Sequence, residues 1–289
     1  MIRLGSTLII TNTIKLIVES WRFVLNHKKI LFFPVISFII CGGLSIIFLY
    51  ALRNNPAFIT TTTTSKPVSY IELVTAGVEF FSWYFICAFV ITFFNVAMQS
   101  YVYSIICGVP GGLALGIRLS LLRINAIFTW SIISSTISLL ITPSEKSSNT
   151  LVDILYLWIG ATWHLVSYLI IPFLIVEDIS PITALKQSIE LLRKTAQDQL
   201  IGDFSVGFLF FIINLPVISL LYFLKYIHLS YLSTSIEVFV VTFLLISGIL
   251  HITTNNIFQI NYFLYLQDKK MPDAFHPSFM KQLVTELGS

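Results

Sequence analysis

The stretch at residues 170–194, IIPFLIVEDISPITALKQSIELLRK, joins a hydrophobic segment to an amphipathic one. The apolar part ends just before two carboxylates, Glu177 and Asp178. Ser180 is a favoured helix N-cap, and Pro181 suits the first helical position, where its missing N–H costs nothing. The stretch therefore predicts a membrane span that ends at the carboxylates, followed by a new helix that begins at Ser180.

The second half of this stretch carries an apolar stripe at helical spacing. Polar and basic side chains fill the opposite face, and a helix with this pattern lies in the headgroup plane of a membrane. We therefore predict an interfacial amphipathic helix over residues 180–196, on a cytoplasmic face of the bilayer. Its apolar stripe consists of Ile182, Leu185, Ile189 and Leu192.

The composition of the whole chain is that of a polytopic membrane protein. Of the 289 residues, 56% are hydrophobic and only 11% are charged, and the mean hydropathy is +0.88. Soluble globular domains carry roughly 25% charged residues. The net charge of +3 is small and dispersed, so we expect no nucleic-acid partner. Three cysteines in or beside apolar runs indicate packing residues, not disulfides or metal ligands: Cys41, Cys87 and Cys107.

Apolar runs of about 20 residues mark the transmembrane helices. We predict an all-α fold that forms a single membrane domain over residues 1–289. An N-terminal interfacial helix occupies 1–29, the spans and the helix at 180–196 lie within 30–266, and 267–289 form a cytoplasmic tail. The six predicted spans are 30–52, 77–106, 125–141, 151–176, 201–224 and 236–266.

The distribution of basic residues orients the predicted spans. With six spans, both termini lie on the same side of the membrane. That side holds 13 of the 17 Lys and Arg residues, and the opposite side holds 4. Short cytoplasmic loops carry an excess of Lys and Arg. We therefore predict that both termini are cytoplasmic and that the protein lies in a bacterial inner membrane.

Several segments resemble one known family of proteins. They are ESWRFVLNHKKILFFP at 19–34, TFFNVAM at 92–98, GIRLSLLRINAIFTWSIISSTI at 116–137, PFLIVEDISPITALKQSIELLRKT at 172–195 and NYFLYLQDKKMPDAFHP at 261–277. Together they resemble an uncharacterised family, a domain of unknown function, of six-span bacterial and archaeal integral membrane proteins. The resemblance implies the fold and adds no activity. The segment at 172–195 is also distantly similar to the membrane domain of some glycerophosphodiester phosphodiesterases. Residues 1–289 contain no phosphodiesterase catalytic domain, so that activity is not implied.

Two stripes of polar residues lie inside predicted spans. Asn95 and Gln99 are four residues apart in the second span, and His251, Asn255 and Gln259 follow the same spacing in the sixth. Residues four apart share a helix face. Polar side chains are costly in lipid, so these stripes are candidates for the lining of a solute or ion path. The alternative is that they hold the helices together by hydrogen bonds, each worth roughly 0.6–2 kcal/mol.

The two carboxylates at the end of the fourth span form a second candidate site. Glu177 and Asp178 are suited to bind a proton or a cation. The alternative is that they lie in the headgroup region, where negative charge favours the positive N-terminus of the following helix. His164 lies alone within the fourth span and, without a partner at metal-ligand spacing, indicates a packing role.

No catalytic or cofactor-binding motif is present, so we expect neither an enzyme nor a bound cofactor or metal. Two functions are compatible with the sequence. The first is a small-solute channel or transporter, or an accessory subunit of one. The alternative is a non-transporting membrane scaffold or lipid-interacting protein. The expected partners are membrane lipids, together with another membrane protein or a second copy of the chain.

Overall fold

The computed structural model describes residues 18–54, 70–109, 111–141, 150–191, 207, 210–219 and 230–267. Within these ranges the regular structure is helical and contains no strand, which confirms the all-α prediction. The predicted cytoplasmic tail lies outside the described residues apart from Gln267, and so do the first 17 residues of the predicted N-terminal helix.

The helices follow one another with short connections wherever the intervening residues are described. A 3₁₀ turn at Lys28–Leu31 leads into the second helix. In chain order the helices are α1 (residues 18–26), α2 (Phe32–Asn54), α3 (Tyr70–Ile106), α4 (Gly112–Leu122), α5 (Ile124–Ile141), α6 (Thr150–Tyr168), α7 (Ile170–Val176), α8 (residues 181–191), α9 (Phe210–Ser219) and α10 (Ser230–Leu266).

Five segments among the described residues are long and apolar enough to cross a membrane, so the chain is a multi-pass membrane protein. The predicted fifth span, 201–224, is described only at residue 207 and over the apolar helix α9. The count of six spans therefore stays a prediction. The five segments are Lys28–Arg53, Val74–Ile106, Ile124–Ile141, Trp158–Val176 and Val238–Leu264.

The fourth of these segments is broken between α6 and α7. Leu169 separates the two helices, with φ −91° and ψ 2°. Pro172 has no N–H to donate to the carbonyl of Tyr168, which favours a break at this point. Ser188 of α8 donates a hydrogen bond of 2.6 Å to the carbonyl oxygen of Val166. That carbonyl lies in the last turn of α6, where helix carbonyls lack intrahelical partners, so α8 is bonded directly to the broken span.

The buried side chains gather at one end of the bundle, where α2 begins and where α3 and α10 end. We call this end the packed half. The other end, which we call the open half, exposes large apolar side chains such as Leu49, Tyr50, Val78 and Phe239. Lipid tails are as apolar as these side chains, so the exposure is compatible with a membrane. Core residues of the packed half include Ile30, Phe33, Met98, Val102, Phe173, Leu174, Ile257 and Phe263.

A glycine allows α4 to cross α3 at close range in the packed half. A Cβ atom at Gly116 would lie 2.5 Å from the carbonyl oxygen of Ala97, and close to the rings or stems of Phe33 and Tyr101. Small residues let the backbones of membrane helices approach closely. Any side chain at position 116 would therefore push the two helices apart.

The helix predicted over 180–196 begins at the predicted residue. The N–H of Thr183 donates to Oγ of Ser180 at 3.3 Å. This contact confirms Ser180 as the N-cap of α8, with Pro181 as the first helical residue. Residues 192–196 lie outside the described residues.

Helix α8 packs on the bundle through small side chains on one face and exposes two isoleucines of its aliphatic stripe. Ala184 and Ser188 are fully buried, Leu185 is half-buried, and Ile182 and Ile189 are exposed. Exposed isoleucine side chains are stabilised by contact with acyl chains. The arrangement is that expected of a helix with one face on the protein and one face in the bilayer surface.

Helix α1 has the same two-sided arrangement. Ser20 and Phe23 are buried against the bundle, whereas Val18, Trp21 and Leu25 are exposed. Trp is enriched at membrane–water interfaces, where its ring contacts both lipid and water. Helices α1 and α8 therefore both present apolar side chains that the described part of the protein does not cover.

Candidate functional site

Three amide side chains meet between α3 and α10 in the packed half. Nε2 of Gln99 donates to Oδ1 of Asn256 at 2.7 Å and also to Oε1 of Gln259. Nδ2 of Asn256 donates to the carbonyl oxygen of Ile252 at 2.8 Å, which fixes the direction of that amide. All three amides are buried, and Gln99 has no accessible surface. We call Gln99, Asn256 and Gln259 the amide cluster.

The amide cluster is held in place by helix spacing and by its apolar surroundings. Asn256 and Gln259 are three residues apart, so they share a face of α10. Neighbouring residues on both helices, including Met98 and Ile257, are fully buried. Hydrogen bonds in such a dry environment are electrostatically stronger than in water, and breaking one leaves a buried polar group unpaired. The cluster therefore joins α3 to α10.

One acceptor of the cluster is unused. Oε1 of Gln99 receives no hydrogen bond from any described residue, although it is buried. The same holds for Oγ of the adjacent Ser100 within the described part of the chain. A buried acceptor without a partner costs about 1–3 kcal/mol. The cluster thus keeps one polar atom that is available to a further donor.

Two residues of the predicted sixth-span stripe have other partners. The hydroxyl of Tyr168 donates to Oδ1 of Asn255 at 3.2 Å, which links α10 to the end of α6. The ring of His251 packs against that of Phe210 in α9, with centroids 4.9 Å apart. A step of four residues turns the direction of a side chain by about 40° around a helix. Successive side chains of the stripe therefore point in different directions, from α9 at His251 to α3 at Gln259.

Asn95 lies in a separate place, in the wall of a groove of about 210 Å³ between α2, α3 and α10. Its side chain is half-buried. Ser37 and Cys41 of α2 also line the groove, and the rest of the wall is almost wholly apolar. Exposed apolar residues at its edge include Phe38, Ile91, Leu245 and Ile252.

Of the five predicted lining residues, the structure brings Gln99 and Gln259 into contact. Asn255, His251 and Asn95 bond or pack elsewhere. Asn256, the second partner of Gln99, is not part of the predicted stripe, because it does not follow the four-residue spacing of His251, Asn255 and Gln259. A step of three from Asn256 to Gln259 also places two residues on one helix face and would have identified it.

The two candidate carboxylates lie at the turn between α7 and α8. Both are exposed, and Oδ1 of Asp178 lies 2.7 Å from Nη1 of Arg123, at the turn between α4 and α5. Asp178 has a left-handed backbone with φ 54°, a conformation that Asp tolerates better than most residues. Its side chain is 82% exposed, so the ion pair contributes at most about 1 kcal/mol. The pair joins one turn to the other.

The three cysteines and His164 are the remaining residues considered from the sequence. The three cysteines are free thiols. Cys41 and Cys87 are half-buried, whereas Cys107 is exposed just beyond α3, so the predicted packing role does not hold for Cys107. His164 is exposed on α6, with its ring centroid 6.3 Å from that of Tyr168. Within the described residues, no group of three His, Cys, Asp or Glu side chains is arranged to hold a metal ion.

Residues 74–272 match DUF6159, a family of unknown function. The chain belongs to this family. A comparison with curated proteins finds no match. The expected membership of an uncharacterised family is therefore confirmed. The likeness to the membrane domain of glycerophosphodiester phosphodiesterases stays a prediction.

The DUF6159 match covers every predicted site residue of this chain. It begins within α3 and extends past α10, so it contains the amide cluster and the turn between α7 and α8. Helices α1 and α2 lie before it. The DUF6159 region therefore supplies two walls of the groove, and α2 supplies the third from outside the matched residues.

Proposed function

We propose that this DUF6159 protein is a non-transporting membrane protein that interacts with lipids and acts as a scaffold. The observation that supports this proposal best is the amide cluster. A path for a polar solute needs polar atoms directed into the path. Here Nε2 of Gln99 is directed at Oδ1 of Asn256 and Oε1 of Gln259, and all three side chains are buried.

The lipid part of the proposal is supported by α1 and α8. Each packs on the bundle by one face and exposes apolar side chains on another, as a helix in the bilayer surface does. The open half of the bundle leaves apolar surface for a helix of another membrane protein or of a second copy. No enzymatic activity is part of this proposal.

Charges placed on the exposed stripe of α8 test its contact with lipid. We expect Ile182→Glu combined with Ile189→Glu to release α8 from the membrane surface, because each change removes an apolar contact and adds a charge. The readout is the rate of trypsin cleavage after Arg193 or Lys194 in inside-out vesicles, which should rise. Gln187→Glu adds a charge to the exposed polar face and is the matched control. Equal cleavage rates in the charged double variant and the control would show that the exposed stripe of α8 does not hold it on the membrane.

A small-solute channel or transporter, or an accessory subunit of one, is the second candidate. It is supported by the unpaired Oε1 of Gln99, since a transported solute or water could donate a hydrogen bond to it. The two candidates differ in whether water reaches Gln99. A thiol reagent can measure this at position 99 without knowledge of any substrate.

We also propose a bacterial inner-membrane location with both termini in the cytoplasm, supported by the uneven distribution of Lys and Arg. In a protein with Cys41→Ala and Cys87→Ala, only the exposed Cys107 remains. We expect a membrane-impermeant maleimide to label Cys107 in inverted vesicles and not in intact cells. A cysteine at Thr62, in a protein that also lacks Cys107, should show the opposite pattern. Labelling of Cys107 from outside the cell would reverse the proposed orientation.

A further inference from the structure

The groove beside Asn95 lies at the depth of the bilayer. Its walls come from three segments that are each long and apolar enough to span a membrane: Lys28–Arg53, Val74–Ile106 and Val238–Leu264. Apolar side chains at its edge, such as Phe38 and Ile91, are exposed. Because this edge is within the hydrocarbon region, a ligand that enters the groove comes from the bilayer.

The volume and the wall of the groove suit a small apolar ligand. Its volume of about 210 Å³ is smaller than the roughly 300–1,000 Å³ that is usual for small-molecule sites. Its wall is mostly aliphatic, with few polar atoms. A segment of one lipid acyl chain has this size and chemistry.

Two basic residues lie beyond one end of the groove, at a distance along the helix axis that suits a lipid headgroup. Lys28 and Lys29 are exposed on the 3₁₀ turn that precedes α2. Along the helix axis, Pro34 at one end of the groove lies about 10 Å from these lysines, and Cys41 at the other end lies about 20 Å away. One leaflet of the hydrocarbon core is about 15 Å thick. A phosphate held at the lysines therefore places its acyl chain at the level of the groove.

We propose that the groove between α2, α3 and α10 binds one acyl chain of an anionic phospholipid, whose phosphate is held by Lys28 and Lys29. This inference rests on the proposed lipid-interacting function and names the lipid class and its site. The lysines supply the preference for negative charge, because basic residues near the membrane surface attract anionic headgroups. The apolar wall holds the chain through the hydrophobic effect and close packing.

Gly248 offers a way to fill the groove without disturbing the bundle. It lines the groove, and a Cβ atom at this position would meet no other atom within 4 Å. Gly248→Leu therefore places a side chain in the space of the acyl chain. Gly43→Leu on α2 is the matched control, because position 43 is equally open and does not line the groove.

The experiment is native mass spectrometry of the full chain released from vesicles of phosphatidylglycerol and phosphatidylcholine in equal amounts. We expect one phosphatidylglycerol molecule to remain on the wild type and on Gly43→Leu. Gly248→Leu should lower this retention about tenfold, the effect of losing roughly two buried methylenes. Lys28→Gln combined with Lys29→Gln should abolish the preference for phosphatidylglycerol over phosphatidylcholine.

Three results would overturn the proposal: no lipid retained by the wild type, full retention by Gly248→Leu, or an unchanged preference after the lysine substitutions. Each of these can occur while water is still excluded from Gln99 and trypsin cleavage near α8 still responds to Ile182→Glu. Failure of this inference is thus distinct from failure of the proposed function.

Discussion

Replacing Gly116 with alanine will destabilise the packed half by about 1–3 kcal/mol, the usual cost of adding volume to a closely packed core. The new Cβ atom would lie 2.5 Å from the carbonyl oxygen of Ala97, which belongs to the backbone of α3 and cannot rotate away. Helix α4 must move outward, and its contacts with Phe33 and Tyr101 are then lost. The measurement is the free energy of unfolding in detergent.

Gly43→Ala is the matched control for this experiment. Position 43 also lies within a helix, and a Cβ atom there would meet nothing within 4 Å. Alanine favours a helix over glycine by up to about 1 kcal/mol, so the control should be neutral or slightly stabilising. Equal effects of the two substitutions would show that the crossing of α4 and α3 is looser than described.

Replacing Gln99 with leucine will cost about 2 kcal/mol or more, because two buried acceptors then lose their donor. These are Oδ1 of Asn256 and Oε1 of Gln259, and each unpaired buried acceptor costs about 1–3 kcal/mol. Asn256→Leu alone removes one of these bonds. The double variant Gln99→Leu/Asn256→Leu should cost less than the sum of the two, with a coupling of about 0.6–2 kcal/mol.

Asn95→Leu provides the control for this cycle. Asn95 lies in the same helix as Gln99 but in the wall of the groove, outside the amide cluster. Its combination with Asn256→Leu should be additive within about 0.5 kcal/mol. If the Gln99 pair is also additive, the two amides do not depend on each other and the cluster does not join α3 to α10.

The sequence predicts those parts of this fold that depend on run length and local chemistry. Long apolar runs form helices in lipid, because a single chain segment can satisfy its own backbone hydrogen bonds there only as a helix. The start of α8 follows from Ser180 and Pro181, because a cap is decided by a few neighbouring residues. The predicted fifth span, 201–224, lies mostly outside the described residues, and the orientation stays a prediction from the distribution of Lys and Arg.

Contacts between distant segments could not be predicted in the same way. The pair formed by Arg123 and Asp178 depends on how two turns meet, and neither turn encodes the other. The protein-facing side of α8 was missed for a different reason. Ala184 and Ser188 are buried, but they are small and neutral and therefore do not belong to an apolar stripe. Close helix packing nevertheless requires small residues of this kind.

The amide cluster shows the limit of periodicity as evidence for a site. Four-residue spacing places polar residues on one helix face, but it does not distinguish mutual hydrogen bonding from the lining of a path. That distinction depends on how close α3 and α10 approach. The approach is set by buried residues such as Met98 and Ile257, whose packing no single segment reveals.

The central claim is that water is excluded from the amide cluster. The most direct test is the reaction of a cysteine at position 99 with a small water-soluble thiol reagent. The protein carries Gln99→Cys, Cys41→Ala and Cys87→Ala and keeps the exposed Cys107 as an internal standard. Ser100→Cys, a smaller change at a buried neighbour, serves in the same way if the first variant does not fold. We expect Cys107 to be modified while the buried cysteine stays unmodified in folded protein. Modification of the buried cysteine at a rate comparable with that of Cys107, in a protein that keeps its thermal midpoint, would place water at the cluster and contradict the non-transporting scaffold.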